Sequence, residues 1–194
     1  MKTTKLVITA LFSALVFVVT ACLHIPAGPG YVNFGDAFLL VAAVLCGGLS
    51  GGFCGALGGA LADIASGVYA FYAPFTAIIK FAEGLVCGLI VRAMRKKEKF
   101  NFHVAVLLAF VVSAILMALG YFVVNGCMYG WGVALTSLVS DFIQAGVSVV
   151  MAYALSVALA HIPYTRQTFG LQRLVFGKKS NETNESNKKE EENE

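Results

Sequence analysis

Long apolar runs, interrupted by glycine, proline or basic residues, organise this chain. A helix that crosses a bilayer needs about 20 mostly apolar residues, because it rises about 1.5 Å per residue through roughly 30 Å of hydrocarbon. Six stretches fit. The first runs from about Leu6 to Leu23, and a loop from His24 to Phe34 follows with Pro26, Gly28, Pro29 and Gly30 as breakers. The next apolar stretch, Gly35 to Asp63, is too long for one helix and divides within Gly47-Gly48-Leu49-Ser50-Gly51-Gly52, where a tight turn is easiest. Ser66 to Pro74 then makes a loop, and a fourth span covers about Phe75 to Val91. The polar block Arg92 to Asn101 ends it. A fifth span covers Phe102 to Val124, a Gly- and Trp-containing loop covers Asn125 to Gly132, and a sixth span covers about Val133 to Ala160. The pattern predicts an all-α integral membrane protein: a compact six-transmembrane-helix bundle within residues 1–179, followed by a disordered acidic tail, 180–194.

Composition supports that reading. Of 194 residues, 58% are hydrophobic and only 13% are charged, about half the charged share of an ordinary soluble domain. Charge is unevenly spread: residues 1–179 hold twelve Lys or Arg against five acids, whereas eight of the last thirteen residues are Glu or Lys and net negative. The cations flank apolar runs and do not form a stripe on a folded face, which argues against a nucleic-acid partner. The five cysteines, at 22, 46, 54, 87 and 127, lie in or at the edge of apolar runs with no metal-ligand spacing, and read as small packing residues.

Lys and Arg in short loops favour the cytoplasm, which sets the direction of the chain. Arg92, Arg95, Lys96, Lys97 and Lys99 place the loop after the fourth span inside. With six spans, Lys2, Lys5, Arg166, Arg173, Lys178 and Lys179 all fall on that same side, so both termini are expected in the cytoplasm. The stretch Val19-Thr20-Ala21-Cys22 resembles a lipoprotein cleavage box, but cleavage there would remove a helix that the charge pattern requires. The sequons at Asn181 and Asn184 fall in the tail, on the cytoplasmic side, and read as chance matches.

Ionisable groups within a span usually face the protein interior or water, because exposure to lipid costs several kcal/mol. Here they gather toward the outer side. Asn33 and Asp36 open the second span, and Asp63 sits near the outer end of the third. Lys80 lies roughly 8 Å into the fourth span, with Glu83 one turn deeper. Asn125 closes the fifth span, and Asp141 and Gln144 lie roughly 12 to 17 Å into the sixth. The opposite half has no ionisable residue before the basic flanks, so the chain reads as an outward cup with a closed floor.

For most of these residues a structural and a ligand-binding reading are both open. Lys80 and Glu83 can pair with each other across one turn or touch a solute. Asp63 can cap its helix or pair with Lys80, and Asp36 can be a helix N-terminal residue favoured by the helix dipole. Asp141 and Gln144 sit too far inside their span to be caps. The aromatics Tyr31, Phe34, Tyr69, Phe71, Tyr72, Tyr129 and Trp131 form either an interfacial belt or a lid that stacks on a planar ring. Gly51, Gly55 and Gly59 recur every four residues and predict a close helix contact that carries Asp63 inward. Ala10 and Ala14 make a second small face on the first span. No nucleophile, His and carboxylate set points to catalysis, and no Gly-rich phosphate loop or metal-ligand set is present, so neither an enzyme nor a cofactor is expected.

Four stretches carry a resemblance: ALFSA (Ala10 to Ala14), Gly35-Asp36-Ala37, LADIASG (Leu61 to Gly67) and PFTAIIKFAEG (Pro74 to Gly84). In their order and spacing over residues 5–165 the chain resembles the membrane-embedded substrate-binding S components of bacterial energy-coupling factor (ECF) vitamin transporters. The last stretch is most similar to the branch for pyridoxine-related or hydroxymethylpyrimidine-related substrates. The resemblance implies a multi-pass protein of the bacterial cell membrane that binds a small vitamin-like solute at high affinity. It implies that Ala10 and Ala14 dock on a transmembrane coupling subunit, that two ATPase subunits complete the importer, and that the loaded subunit topples to deliver its solute. It also implies that the loop at 24–34 is the gate. The substrate-binding set expected on these grounds is Asn33, Asp36, Asp63, Lys80, Glu83, Asn125, Trp131, Asp141 and Gln144. Riboflavin or another vitamin as substrate, a self-sufficient secondary transporter, and a structural membrane protein with no ligand stay open as alternatives.

Overall fold

A computed structural model of the chain describes residues 2–27, 30–95, 101–169 and 171. Gly28, Pro29, Lys96, Lys97, Lys99, Arg173, Lys178, Lys179, the two sequons and the 180–194 tail lie outside the described residues, and so does the expected position of the termini. The chain forms α1 (Lys2–Cys22), an antiparallel hairpin of β1 (His24–Ala27) and β2 (Gly30–Asn33), then α2 (Gly35–Cys46) and α3 (Gly48–Ser66). A 3-10 turn (Ala70–Tyr72) leads into α4 (Ala73–Arg95), and α5 (Phe102–Tyr129), α6 (Trp131–His161) and the short α7 (Pro163–Phe169) follow. The result is a multi-span membrane helical bundle.

Six apolar helices stand where the hydrophobic pattern puts them, but among the described residues only five are long enough to cross a membrane. The expectation of six spanning helices is corrected at α2, which has 12 residues and so rises only about 18 Å. Its position explains how it tolerates this length. All of its residues except Phe38 are buried, packed among α1, α3, α4 and α6, and a helix apolar all round belongs inside protein. Gly47 ends it with φ 101°, a conformation that favours glycine, and the chain enters α3 at once.

Three further boundaries differ from expectation. The 24–34 loop contains a two-stranded hairpin, in register His24 with Asn33 and Ala27 with Gly30. The loop foreseen at 125–132 shrinks to Gly130, because α5 continues helical to Tyr129 and Gly130 turns with φ 90°. Residues 163–169 add α7, whose Phe169 is buried against the core.

The tightest joint is between α3 and α4. Glycines face glycines there: a Cβ built on Gly84 would stand 2.3 Å from the Gly51 carbonyl carbon, and one on Gly88 would stand 2.1 Å from the Gly48 nitrogen. Small residues let two helix backbones touch, which in a bilayer supplies the packing that lipid cannot. The Gly51, Gly55 and Gly59 ladder lies in the same region, against Ala43 of α2 and Lys80 and Thr76 of α4. It turns Asp63 inward, as its spacing predicts, leaving Asp63 only 1% exposed.

Gly88→Val is expected to lower the stability of the detergent-solubilised protein by about 2 kcal/mol or more, because backbone and not a flexible side chain blocks the added methyls. Gly132→Ala, with nothing within 4 Å of its new methyl, is expected to leave the thermal midpoint unchanged. Equal midpoints for the two variants would show that the α3–α4 joint is looser than described.

Candidate functional site

Four helices, the 3-10 turn and the hairpin converge on one cavity. It is lined by Tyr31 and Asn33 of the hairpin, Asp63 of α3, Tyr72 and Thr76 around the start of α4, Tyr121 and Asn125 of α5, and Ser137, Ser140, Asp141 and Gln144 of α6. Ala27 and Gly30 complete the wall, and the space not filled by protein, its mouth included, is about 480 Å³. Elsewhere in the same half, His24, Tyr31 and Tyr69 bound a second recess of about 320 Å³, its mouth included, so the Tyr31 ring stands between the two spaces.

Each lining group is placed by helical periodicity. On α6, Ser137, Asp141 and Gln144 recur at intervals of four and three and therefore share a face. On α5, Tyr121 and Asn125 are four apart, and on α4, Thr76 and Lys80 are four apart. The walls are cross-braced. The Tyr72 hydroxyl donates to Asn125 Oδ1 at 2.7 Å, Asn125 Nδ2 donates to Ser137 Oγ at 3.0 Å, and the Tyr121 hydroxyl donates to Thr76 Oγ1 at 3.1 Å. The Tyr31 hydroxyl donates to Asp63 Oδ1. Burial first, and then the Asp63 carboxylate, raise the Tyr31 phenol far above its ordinary range, so it stays a donor at physiological pH.

Beneath the cavity lies a dry cluster of charge. Lys80 Nζ is 2.5 Å from Asp36 Oδ1 and 3.2 Å from Glu83 Oε2, and the three residues are 3%, 1% and 0% exposed. The cluster includes the one-turn Lys80–Glu83 pair that the spacing allows, and adds Asp36 from the first turn of α2. Gln144 joins it to the cavity, its Nε2 donating to Asp36 Oδ2 at 2.6 Å.

The residues singled out from the sequence thus fall into three groups. Asn33, Asp63, Asn125, Asp141 and Gln144 line the cavity. Asp36, Lys80 and Glu83 sit one layer deeper, outside the lining, and the described ion pairs of Lys80 are with Asp36 and Glu83, not Asp63. Trp131 lies apart: it is 57% exposed, and its ring packs over Gly126 and beside Phe122. Tyr121, Thr76, Ser137 and Ser140 line the cavity but were not singled out. Their spacing from Asn125, Lys80, Asp141 and Gln144 is the signal that finds them. Ala10 and Ala14 are exposed on α1, beside the exposed Leu11 and Val18.

Two carboxylate oxygens of the cavity lining, Asp63 Oδ2 and Asp141 Oδ2, are shielded from water and make no hydrogen bond of ordinary geometry, with the Thr76 hydroxyl the neighbour of Asp63. Among the described residues no Lys, Arg or His lines the cavity. Chemically the site is therefore a small aromatic-walled cup, poor in cations and rich in carboxylate, suited to a neutral or cationic solute that brings its own N–H or O–H donors. Among the described residues no group of three or more His, Cys, Asp or Glu is placed to hold a metal ion.

A multi-pass membrane bundle with such a cup is a solute-binding membrane protein, and the comparisons give its family. The family model "ECF-type riboflavin transporter, S component" matches residues 1–161, and the chain belongs to the S-component family of ECF-type vitamin transporters. The thiamine precursor transporter HmpT of Lactococcus lactis is 30% identical over 155 residues, covering 78% of this chain and 85% of that protein. An uncharacterized protein of Pyrococcus woesei is 37% identical over 135 residues, covering 70% of this chain and 86% of that protein. No solved structure matches. The family transports and performs no catalysis.

In a variant lacking the exposed Cys22 and Cys127, a cysteine replacing Ser140 is expected to react with a small water-soluble thiol reagent. A cysteine replacing Ser148, buried on the same helix away from the cavity, is expected to stay unmodified. Similar modification rates at the two positions would show that water reaches well beyond the cup.

Proposed function

We propose that this chain is the substrate-binding subunit of an ATP-driven importer, and that its solute is a small aminopyrimidine of the hydroxymethylpyrimidine type, a thiamine precursor. The observation that carries the reading is the pair of cavity carboxylates with unpaired oxygens and no lining cation. An aminopyrimidine offers an exocyclic amine, a hydroxyl and a ring nitrogen able to take up a proton, all of which favour carboxylate partners. Its flat ring suits a cup walled by Tyr31, Tyr72 and Tyr121. The similarity to the thiamine precursor transporter points the same way.

Pyridoxine, with hydroxyl donors and a ring nitrogen, satisfies the same chemistry less fully because it lacks the amine. Riboflavin is favoured by the family model that the chain matches. Its ring edge, however, presents mainly carbonyl and imine acceptors, which would face carboxylates rather than donors. In the proposed cycle the exposed Ala10 and Ala14 face docks on the transmembrane coupling subunit, and two ATPase subunits supply the energy. Asn33, Asp63, Asn125, Asp141 and Gln144 contact the solute, while Asp36, Lys80 and Glu83 support them from below.

Calorimetry of the purified chain against hydroxymethyl aminopyrimidine, pyridoxine and riboflavin is expected to rank them in that order. Asp141→Asn is expected to weaken aminopyrimidine binding by about 10-fold or more, the worth of one hydrogen bond to a charged group. Unchanged affinity, or tightest binding of riboflavin, would reject the assignment. Leu at both Ala10 and Ala14 is expected to spare solute binding and prevent co-purification of the coupling subunit. An intact complex would remove the docking role.

A further inference from the structure

Asp36, Lys80 and Glu83 do not line the cavity, and Gln144 stands between Asp36 and a solute there; burying three charges in a bilayer-embedded protein is strongly unfavourable unless they are well paired. Their bonds lead outward to the hairpin. Asp36 uses one oxygen on Lys80 and the other on the Gln144 amide. A carboxylate only accepts, so it fixes which way that amide faces: Nε2 toward Asp36 and Oε1 away from it. Gln144 Oε1 then receives the backbone N–H of Asn33, the last residue of β2, at 3.0 Å. The Asn33 side chain continues the line, its Oδ1 accepting from Gly35 N at 2.9 Å and from Thr20 Oγ1 at 3.3 Å. Three helices, α2, α4 and α6, are thus joined through the Gln144 carboxamide to the foot of the hairpin that forms one wall of the cavity, and α1 reaches the same foot through Thr20 and the Asn33 side chain. The hairpin's second fastening, Tyr31 to Asp63, is at its middle and independent of this line.

The geometry points to a positioning role: Lys80 holds Asp36, Asp36 orients Gln144, and Gln144 clamps the base of the hairpin, so the ion cluster sets how long the wall stays closed without contacting solute. This inference rests on the cavity being the solute site. It differs from that reading in assigning Asp36 and Lys80 to the retention of solute and not to its recognition. Without that clamp the hairpin keeps the Tyr31 fastening and the Asn33 side-chain bonds to Thr20 and Gly35, and loosens where Gln144 had held its backbone, on the Asn33 and Gln144 side of the cup.

Hydrogen exchange at the Asn33 amide in the ligand-free, detergent-purified full chain tests it, together with the association and dissociation rates of hydroxymethyl aminopyrimidine. Asp36→Asn keeps the shape but sets an N–H₂ group against either Lys80 or Gln144. It is expected to speed Asn33 exchange and solute dissociation by about 10-fold or more, the loss of one hydrogen bond to a charged group, with association changed less than about threefold. Amides in the middle of α5 are expected to keep their protection, which separates loss of the clamp from general loosening. Gln144→Met, which removes both amide bonds at similar volume and leaves the ion pairs intact, is read in the exchange arm alone. It serves if Asp36→Asn does not fold, and is expected to match it. Unchanged Asn33 exchange in a folded variant would overturn the inference, and so would weaker binding that comes from slower association. Faster Asn33 exchange in a chain that binds none of the pyrimidine would uphold the clamp and reject the proposed substrate.

Discussion

The ammonium of Lys80 is the fixed point of this molecule. A lone cation in the middle of a membrane bundle is strongly disfavoured, so it must be met by carboxylates at short range, and the two it meets come from different helices. Glu83 is one turn away on α4 itself, whereas Asp36 ties α4 to the first turn of the central helix. The glycine faces of α3 and α4 let those backbones approach closely enough for Lys80 to lie beside Gly55 and Gly59 on its way inward. Packing and electrostatics therefore require each other: the small residues make room for the charge, and the charge holds the N-terminal end of α2 where the cavity floor needs it.

Above that floor the side chains follow a simple division. Groups that brace one wall against another are fully used, as in the run from Tyr72 through Asn125 to Ser137. Those that face the cavity keep an unused atom, as Asp63 and Asp141 do. All four described acids belong to this end of the bundle, and apart from Lys80 the described Lys and Arg side chains, Lys5, Arg92 and Arg95, belong to the other. Lys80, held by Asp36 and Glu83 one layer below, offsets part of this charge, and the cup keeps a net negative character that favours solutes of the complementary kind.

Much of this was legible in the sequence because bilayer physics acts on long windows. Helix lengths near 20 residues, breakers between them and basic flanks located the helices, and the four-residue glycine repeat oriented α3 correctly enough to predict an inward Asp63. The depth of polar residues gathered Asn33, Asp63, Asn125, Asp141 and Gln144 into one half. Hydropathy could not report that α2 is short, since a run of apolar residues reads alike whether it meets lipid or protein. The hairpin was hidden because His24 to Asn33 has few residues and two prolines, and its register depends on contacts with distant helices. Residue type alone placed Lys80, Glu83 and Asp36 with the solute, whereas side-chain geometry directs them to each other. Trp131 followed the aromatic loops in sequence, but the continuation of α5 to Tyr129 turns its ring onto Gly126.

The brevity of α2 also shapes the opposite end. Its last turn stops well inside the bundle, and Arg95 reaches across to the Val44 carbonyl oxygen at 3.0 Å to satisfy one of the acceptors left there. Below it, Lys5, Leu49, Leu85, Leu89 and Arg92 border an open recess of about 1500 Å³, its mouth included. The short central helix therefore leaves this end of the bundle open, with the cationic side chains of Lys5, Arg92 and Arg95 at the rim of the space below it, a setting that suits water or anionic groups and not hydrocarbon.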